Sequence, residues 1–575
     1  MNKNLIALVI IIAASIVVSH PLLKPGLFMM HDDQQVARLF VFDQALKAGQ
    51  FPVRWVGGLG FGFGYPLFIF YPPLVYVVGE IFHLIGFGYI NSTKLVFFTG
   101  ILFSGVAMYV LVKDLWGKYA ALIGALFYII VPYRALDVYV RGALAESYAF
   151  VWLPLVLWSL YKLSVTKNVN YAYFSAVFLA LLMVTHNLIF LPFMLIFSMF
   201  CIFLINNSPN QVLLIKHLIL SGLVGAALSA YFWMPALFEK QYTIVDSLLL
   251  VNLANYKIHF VYPQQLWNWQ WGFGGSSAGL ADGISFKIGK LHIIIAMLAV
   301  IIAFLGKYLT HPKSKVNSKT DNLVIIFFFL FIFSAFMATF YSKVIWEAIP
   351  PLAYLQFPWR FLTFTALFSS ILAGAFVYYL KLPVVKIASG FFLIVLLLIP
   401  NLKLFQPQFY RNDLTDAQAT SKEVINWDVS LSSFEYAPKG VELYRNDLGT
   451  NQIKIAKFQI PTQQIEPISG NPQITLQKTT PTQTQFQVDS PTASKIRTNI
   501  FNFPGWHLKI DGGQAIIDDN NTLKLITFNV PKGNHSVRIE FGNTPVRLLA
   551  NFISLLGIAY LFIIAIKKWK TLNIH

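Results

Sequence analysis

Residues 29–55, MMHDDQQVARLFVFDQALKAGQFPVRW, follow the first apolar segment of the chain and hold the polar groups that its fold must accommodate. The pattern predicts a helix from Gln34 to Ala48 with an apolar face. Aspartate is a favoured N-cap, so Asp32 or Asp33 is expected to begin this helix. A cap explains only one of the two carboxylates and does not explain His31. We therefore expect one aspartate, by preference Asp33, to take part in chemistry.

The composition indicates a polytopic membrane protein. The chain has 575 residues, of which 56% are hydrophobic and 12% are charged, whereas soluble proteins carry about a quarter charged residues. The net charge is +18. Lysines beside apolar runs indicate cytoplasmic loops and anionic lipid rather than nucleic acid. The single cysteine, Cys201, excludes an intrachain disulfide and a cysteine-cluster metal site.

Length and apolarity predict about twelve membrane-spanning helices. The first has a positive start like a secretory signal. It lacks a convincing small-residue cleavage site, so we expect it to be retained. The predicted spans are 4–22, 93–112, 118–133, 147–163, 171–185, 188–206, 213–236, 291–308, 322–340, 361–380, 384–404 and 546–566.

One further apolar segment, 66–88, is interrupted by Pro66, Pro72 and Pro73. If it does not span, nearly every short lysine cluster falls on the cytoplasmic side with both termini, as the positive-inside rule requires. If it spans, these clusters all move outside together. We therefore expect an interfacial or re-entrant element. The larger polar segments then lie outside: 23–92, 134–146, 237–290, 341–360 and 405–545.

Residues 405–545 differ in composition from the rest of the chain. Polar residues alternate with β-branched and aromatic ones between turn signals, which predicts an antiparallel β-sandwich. Carbohydrate contact and a structural lid over the membrane site are both open roles. Residues 1–404 are then a transmembrane module, and 546–575 contain the last helix and a basic cytoplasmic tail.

The stretch VPYRALDVYVRGALAESYAF, residues 131–150, concentrates Arg134, Asp137, Arg141 and Glu146 in a predicted outer loop. These residues are spaced by about one helical turn, so ion pairs among themselves are one interpretation. Arginines also bind phosphate through charge-assisted, often bidentate hydrogen bonds. Charges at membrane depth are costly and tend to be functional. Both interpretations stay open.

Two stretches are rich in aromatic residues. GGLGFGFGYPLFIFYPPL, residues 57–74, contains Tyr71 and fits either an irregular entry into an interfacial helix or a groove for a lipid or sugar. FVYPQQLWNWQWGFGGSSAGLADGISFKIGKLH, residues 260–292, fits either an interfacial aromatic belt or sugar contacts. Its candidate residues are Trp267, Trp269 and Trp271.

The remaining candidates lie at outer helix ends. Arg360, in AYLQFPWRFL (353–362), fits either a headgroup or a phosphate. His186 is more typical of a structural histidine. The sequence has no Ser/His/Asp order, no HExxH motif and no nucleotide-binding loop with lysine. Carboxylates such as Asp33 and Asp137 suit a hard divalent cation, although nothing in the sequence requires one.

With these motifs in place, the chain resembles the GT-C superfamily of integral-membrane glycosyltransferases. More closely, it is similar to bacterial membrane proteins called "6-pyruvoyl-tetrahydropterin synthase-related", which look like GT-C enzymes and not like the soluble pterin synthase. The similarity covers most of the chain and rests on the order of several motifs. They are HDDQQVARLF, AGQFPVRW, GFGYPLFIFYPPL, VPYRALDVYVRGALAE, LQFPWRFL, FEYAPKG and FPGWHLKIDG.

The resemblance implies a GT-C-like fold with interfacial helices and a polyprenyl-phosphate-linked sugar donor used on the extracytoplasmic face. In that superfamily an acidic residue in the first outer loop is the catalytic centre, which corresponds here to Asp33 or Asp32. A second acidic position corresponds to Asp137 or Glu146. Metal dependence varies within the superfamily and is not transferred.

We therefore expect an inverting sugar transfer to a hydroxyl of a glycan, lipid or protein acceptor, with an aspartate as general base. Arginines would stabilise the leaving lipid phosphate, the candidates being Arg38, Arg54, Arg134, Arg141 and Arg360. Expected sugar contacts are His31, Tyr71 and the three tryptophans. Two alternatives are a glycolipid transporter and a non-catalytic glycolipid-binding scaffold. A transporter predicts charges buried in mid-span and related halves.

Overall fold

The computed structural model describes residues 3–249, 255–308, 315–442, 444–445, 452–453 and 463–572. The chain divides into two compact units. The first comprises Met1–Asp33, Asn91–Leu228 and Leu253–Leu414, and the second comprises Gln34–Ile90, Ser229–Asn252 and Thr415–His575. This division differs from the predicted boundary at residue 404, because most of the first polar segment groups with the C-terminal part of the chain.

Helices form most of the described chain. In order they are α1 (Lys3–Val18), α2 (Gln35–Lys47), α3 (Leu67–Phe70), α4 (Leu74–Leu84), α5 (Tyr89–Trp116), α6 (Lys118–Ile129), α7 (Pro132–Leu136), α8 (Leu144–Ala149), α9 (Trp152–Thr166), α10 (Asn170–Thr185), α11 (Asn187–Asn206), α12 (Gln211–Leu228), α13 (Ala230–Phe238), α14 (Val245–Leu249), α15 (Pro263–Trp267), α16 (Lys290–Tyr308), α17 (Lys315–Ala338), α18 (Lys343–Ala348), α19 (Leu362–Tyr379), α20 (Pro383–Asn401), α21 (Asp416–Ala419), α22 (Val429–Ser432) and α23 (Pro545–Leu572).

Strands β1 to β4 have two residues each, and the longer strands lie between residues 465 and 541. They are β1 (Leu27–Phe28), β2 (Tyr410–Arg411), β3 (Tyr444–Arg445), β4 (Gln452–Ile453), β5 (Ile465–Ser469), β6 (Gln473–Thr480), β7 (Gln483–Ser490), β8 (Ser494–Phe501), β9 (Trp506–Ile510), β10 (Gly513–Ala515), β11 (Leu525–Val530) and β12 (Gly533–Phe541). In the first unit, β1 pairs antiparallel with β2.

The apolar helices are those of a multi-pass membrane protein. Among the described residues, nine helices are long and apolar enough to cross a bilayer. Three other predicted spans correspond to shorter apolar helices, Asn4–Val18, Asn170–Thr185 and Lys290–Gly306. The nine long segments are Tyr89–Trp116, Lys118–Arg141, Leu144–Thr166, Asn187–Asn206, Gln211–Leu228, Lys319–Ala338, Pro358–Tyr379, Pro383–Leu404 and Pro545–Trp569.

Two apolar segments of the sequence each form two helices. One of them was predicted to be a single span. The predicted span 213–236 divides at Ser229 into α12 and α13. The segment 66–88 divides into α3 and α4 on either side of a proline pair. Helix α4 has 11 residues, which is about 16 Å of helix against a hydrocarbon core of about 30 Å. It is therefore too short to cross a bilayer, in agreement with the expected interfacial element.

The second unit contains the predicted antiparallel β-sandwich. One sheet has the strand order β10-β9-β12-β7-β6 and the other has the order β11-β8-β5. Alternate residues of both sheets fill one core, among them Phe486, Val488, Ile496, Phe528 and Val537. The main sheets begin at Ile465 and not at residue 405, because the preceding described segment to residue 442 forms short helices and turns.

Aromatic residues of the first polar segment belong to the core of this sandwich. Trp55 packs edge-on against Trp506 with ring centroids 5.3 Å apart, and Phe63 lies 5.1 Å from the ring of Phe501. The Phe501 N–H also donates to the Phe63 carbonyl oxygen at 2.9 Å. These contacts join segments far apart in the sequence and place the first polar segment in the second unit.

The glycines of this segment allow the close packing. Gly60 and Gly64 have φ angles of 65° and 80°, which residues with a Cβ rarely adopt. A Cβ on Gly64 would lie 2.6 Å from the Trp55 ring, and a Cβ on Gly60 would lie 2.7 Å from the Gly64 carbonyl oxygen. The structure thus favours the irregular structural entry over an open lipid or sugar groove for this part of 57–74.

We expect Trp55→Ala to destabilise the sandwich by about 3–5 kcal/mol, because it leaves a large cavity in the core. Hydrogen exchange of β7, β8 and β12 in the full-length protein measures this loss as faster opening. Phe51→Ala is the matched control, since Phe51 is 88% exposed and only four positions away. Equal protection in both variants would contradict a core role for Trp55.

Candidate functional site

The charged cluster of the first unit is built on residues 134–146, and this segment is helical and buried instead of forming the expected outer loop. Helix α7 continues into one π-helical turn, Asp137–Arg141. Gly142 then adopts a left-handed φ of 66°, and α8 begins at Leu144. Asp137, Arg141 and Glu146 can be buried here because their side chains bond one another.

Arg141 lies between the two acidic residues of the cluster. Its Nη1 donates to a carboxylate oxygen of Asp137 and, at 2.8 Å, to Oε2 of Glu146. Both carboxylates are fully buried. A buried charge without a partner is strongly destabilising, and Arg141 gives each of these acids a charged hydrogen-bond partner. This confirms ion pairing within the segment.

Glu146 has further partners on other elements of the same unit. Its Oε1 accepts from the Tyr133 hydroxyl at 2.7 Å and from the Thr363 hydroxyl at 3.0 Å. Its Oε2 lies 3.7 Å from Nε of Arg360. Two arginines therefore lie around this one buried carboxylate, with Arg141 hydrogen-bonded to it and Arg360 close by.

The HDD motif lies along the π-helical turn. The His31 N–H donates to the Val140 carbonyl oxygen at 3.0 Å, and the Asp32 N–H donates to the Arg141 carbonyl oxygen at 2.7 Å. A Cβ on Gly142 would lie 2.1 Å from Sδ of Met30, so this approach needs a glycine. The backbone pairing brings Asp32 to the charged cluster.

The structure distinguishes the two aspartates. The Asp32 carboxylate interacts electrostatically with Asp137, Arg141 and Arg360. Asp33 is exposed. Asp32 is thus beside these charges, and the expectation that Asp33 takes part in chemistry stays a prediction.

Neither aspartate is the N-cap of α2, which corrects the expected cap. The N-cap is Gln34, and its side chain makes no capping hydrogen bond. Residues 31–34 instead form turns before the helix, since the backbone of His31 and Asp32 is already paired with the π-helical turn. The predicted helix itself is confirmed to within one residue at each end.

His31 also contacts the tryptophan-rich segment. Its Nε2 lies 3.0 Å from the Phe273 carbonyl oxygen. Trp271, two residues earlier, has Nζ of Lys287 5.4 Å from its ring centre. Trp269 donates from Nε1 to the Asp282 carbonyl oxygen at 3.3 Å, and Trp267 is exposed. Of the three tryptophans, Trp271 is thus nearest in sequence to the backbone contact with the HDD motif.

Arg134 has a different environment from Arg141. It is fully buried, with its guanidinium 4.2 Å from the centre of the Phe150 ring and 5.3 Å from that of Tyr128. Its Nε donates to the Tyr128 carbonyl oxygen at 3.2 Å. Nη1 and Nη2 have no hydrogen-bond partner among the described residues. The aromatic contacts thus favour a structural environment over an open phosphate site.

The other predicted phosphate-binding arginines belong to the second unit. Arg38 lies 4.4 Å from the centre of the Tyr71 ring, and its Nη2 donates to the Ser433 hydroxyl at 2.9 Å. Tyr71 therefore packs on an arginine of its own unit. Nη2 of Arg54 donates to the Asn551 side-chain oxygen at 2.7 Å. Burial, together with the nearby charge of Arg547, lowers the pKa of Arg54 to about 10.

Two groups beside the cluster were missed or underrated in the sequence. Tyr133 lies within the motif VPYRALDVYVRGALAE, and Thr363 directly follows LQFPWRFL. Both donate a hydroxyl to Glu146, but they are uncharged, so the search for charged residues did not identify them. His186 caps α11 by accepting from the Ile189 N–H at 3.0 Å, as expected for a structural histidine. Burial and the charge of Arg360 lower the pKa of His186 to about 3.

Within the described ranges, no group of three or more His, Cys, Asp or Glu residues is arranged to hold a metal ion. Asp137, one of the carboxylates considered for a divalent cation, is paired with Arg141. The cation therefore stays a prediction from residue type.

Comparison with solved structures finds similarity at low sequence identity. The cryo-EM structure of the mycobacterial arabinofuranosyltransferase AftD aligns with 12% identity and a TM-score of 0.43, covering 72% of this chain and 28% of that one. The crystal structure of the Archaeoglobus fulgidus oligosaccharyltransferase aligns with 16% identity and a TM-score of 0.38, covering 72% and 53%. This chain spans less than two thirds of either protein, and neither activity is transferred to it.

No protein-family model matches the sequence, and none of the curated protein sequences matches it.

We expect Arg141→Met to lower the free energy of unfolding by about 3–5 kcal/mol, because Asp137 and Glu146 lose their counter-charge inside the protein. The measurement is the apparent unfolding temperature in nanodiscs. Adding Asp137→Asn and Glu146→Gln to this variant should restore much of the loss, since the neutral side chains need no counter-charge.

The control for this variant is Arg538→Met. Arg538 forms a surface ion pair with Glu540 at 2.7 Å, and such a pair contributes at most about 1 kcal/mol. If Arg141→Met cost no more than this control, the cluster would not be what stabilises the turn.

Proposed function

We propose that this protein transfers a sugar from a polyprenyl-phosphate-linked donor to an acceptor hydroxyl on the extracytoplasmic face, with inversion and with Asp32 as general base. The main support is the hydrogen bond from the Asp32 N–H to the Arg141 carbonyl oxygen. This bond supports the proposal because Asp32 belongs to the first polar segment, where the GT-C resemblance implies an acidic catalytic residue, and Arg141 could stabilise a phosphate.

The proposed reaction uses the charges as follows. The Asp32 carboxylate takes the proton of the acceptor hydroxyl. The acceptor oxygen then bonds to the anomeric carbon as the bond from that carbon to the lipid-phosphate oxygen breaks. Arg141 and Arg360 stabilise the negative charge that grows on the leaving phosphate. Asp137 and Glu146 hold these arginines in place.

We assign this role to Arg141 and Arg360 and not to the other predicted arginines. Arg134 is packed on Phe150. Arg38 and Arg54 each have partners within the second unit. Asp33 is the second candidate for the base, because it adjoins Asp32 and is exposed.

We infer the extracytoplasmic position of the HDD motif from the distribution of lysines, and the contact with lipid from the exposed apolar side chains. The positive-inside rule places the lysine clusters and both termini in the cytoplasm, and therefore the HDD motif outside. The exposed apolar side chains of α4 and the residue after it, Val77, Ile81, Leu84 and Ile85, suit the membrane surface.

The position of the charges favours an enzyme over the transporter. A transporter predicts charges in the middle of spans. Asp137 and Arg141 lie at the end of the apolar segment Lys118–Arg141, and Glu146 lies at the start of Leu144–Thr166. These are helix ends, where an active site can open toward water.

We expect Asp32→Asn to reduce sugar transfer by about 10²–10⁴-fold, as for the loss of a general base, with little change in folding. Asp33→Asn should keep most of the activity and is the matched control. The assay follows transfer from polyprenyl-phosphate sugars in membranes. Full activity in both variants would rule out an aspartate base. Glycolipid movement across vesicles by wild-type protein that transfers no sugar would support the transporter.

A further inference from the structure

The second unit contains an open cleft with a volume of about 390 Å³ that the proposed chemistry does not use. It lies at the FPGW turn of the sandwich. The lining residues that matter below are Tyr242, Lys439, Asn502, Pro504, Trp506 and Asp519.

One wall of the cleft is the turn Asn502–Trp506, and hydrogen bonds from Arg547 and Gly542 hold its backbone in place. Nη2 of Arg547 donates to the Pro504 carbonyl oxygen at 2.8 Å, and the Gly542 N–H donates to the Gly505 carbonyl oxygen at 2.7 Å. Gly505 has a φ of 110°, and a Cβ there would lie 2.6 Å from Nη1 of Arg547. This wall is therefore preorganised.

Tyr242 and Lys439 line another part of the cleft, where the 3-10 turn Lys240–Tyr242 precedes an isolated bridge between Thr243 and Pro438. The Lys439 N–H donates to the Tyr242 carbonyl oxygen at 2.8 Å, and the Ile244 N–H donates to the Ala437 carbonyl oxygen at 3.0 Å. Tyr242 is 45% exposed, so its ring presents an aromatic surface beside the cleft. Both parts of the lining are thus held by backbone hydrogen bonds.

The polar groups of the cleft are mixed in sign. The Asn502 amide donates from Nδ2 to Oδ2 of Asp519 at 3.0 Å. Lys439 supplies one positive charge and Asp519 one negative charge, so the lining has no excess of either. Trp506 is only 6% exposed, and its indole N–H has no hydrogen-bond partner in the part of the chain that the structure describes. A buried unpaired donor costs about 1–3 kcal/mol.

These features select one class of ligand. A phosphate or other anion needs an excess of positive charge, which the balanced pair does not supply. A lipid chain needs a continuous apolar wall, and Asn502, Lys439 and Asp519 interrupt this one. A neutral molecule rich in hydroxyl groups suits a cleft with an exposed aromatic ring and both donors and acceptors.

We propose that this cleft binds a neutral saccharide, with a sugar ring against Tyr242 and its hydroxyls bonded to Asn502, Asp519 and Lys439. The saccharide's role as acceptor rests on the proposed function, whereas binding itself does not.

The test is ligand-detected NMR on the full-length protein in nanodiscs, without glycosidic detergents. The probes are maltotriose, α-1,6-mannotriose and an α-1,5-arabinofuranosyl trisaccharide, with glucose 6-phosphate and dihexanoylphosphatidylcholine as charged and lipid comparisons. We expect saturation transfer to at least one neutral trisaccharide and no binding of the two comparison molecules at this cleft.

The matched variants are Tyr242→Ala and Asp519→Asn, each of which should weaken trisaccharide binding at least about fivefold. Tyr341→Ala is the control, because Tyr341 is a 68% exposed tyrosine of the first unit. If Tyr242→Ala does not fold, Asp519→Asn alone decides. Absence of binding by all three trisaccharides, equal binding by the variants, or binding of the anion or lipid instead would overturn the proposal.

Asp32→Asn separates this inference from the proposed function. Asp32 belongs to the first unit, so this variant should lose sugar transfer and keep trisaccharide binding. Active transfer without any trisaccharide binding would overturn the cleft proposal alone. Binding without transfer by the wild type would overturn the enzyme alone.

Discussion

Two carboxylates buried among apolar helices need a counter-charge, and Arg141 supplies it to both Asp137 and Glu146. Transfer of an ion into a protein interior costs several kcal/mol unless it is paired and hydrogen-bonded. The same residue also presents its backbone carbonyl to the Asp32 N–H. Arg141 therefore bonds to both acids with its side chain and pairs with the HDD motif through its main chain, which makes the geometry around Asp32 dependent on the ion cluster.

The core of the second unit is held together mainly by aromatic and aliphatic packing. Trp55 and Phe63 belong to the sandwich core, and Gly64 and Gly60 let the backbone approach the rings of Trp55 and Phe501. The stretch 29–55 thus contributes to both units, with its division between Asp33 and Gln34. Its acidic start serves the ion cluster, and its end at Trp55 is a core residue.

Local patterns were sufficient to predict much of the fold. Period and turn residues predicted α2 to within one residue at each end, and alternation predicted the strands of the sandwich. The polar character of 134–146 suggested a loop, and it failed as a guide because side chains that satisfy one another let a helix continue through buried charges. The missed partners of Glu146, Tyr133 and Thr363, are uncharged.

Long-range contacts decided the parts of the site that the sequence left open. Which aspartate meets the cluster depends on the backbone pairing of residues 31–32 with 140–141, a contact across more than a hundred positions that no local period reports. Arg38 and Arg141 looked equivalent as phosphate ligands, yet they belong to different units. Charge type alone could not show that one stacks on Tyr71 while the other holds two carboxylates.

The pairing of Arg547 with Glu239 has a consequence for how the protein is made. Nε and Nη2 of Arg547 donate to Oε2 of Glu239 at 2.9 and 2.8 Å, across 308 positions of the chain. Synthesis runs from the N-terminus, so Glu239 and Trp55 emerge long before their partners. The second unit can therefore reach its final form only after the chain as far as Arg547 has left the ribosome. Until Trp506 has also emerged, Trp55 lacks the contact with Trp506 that packs it in the core.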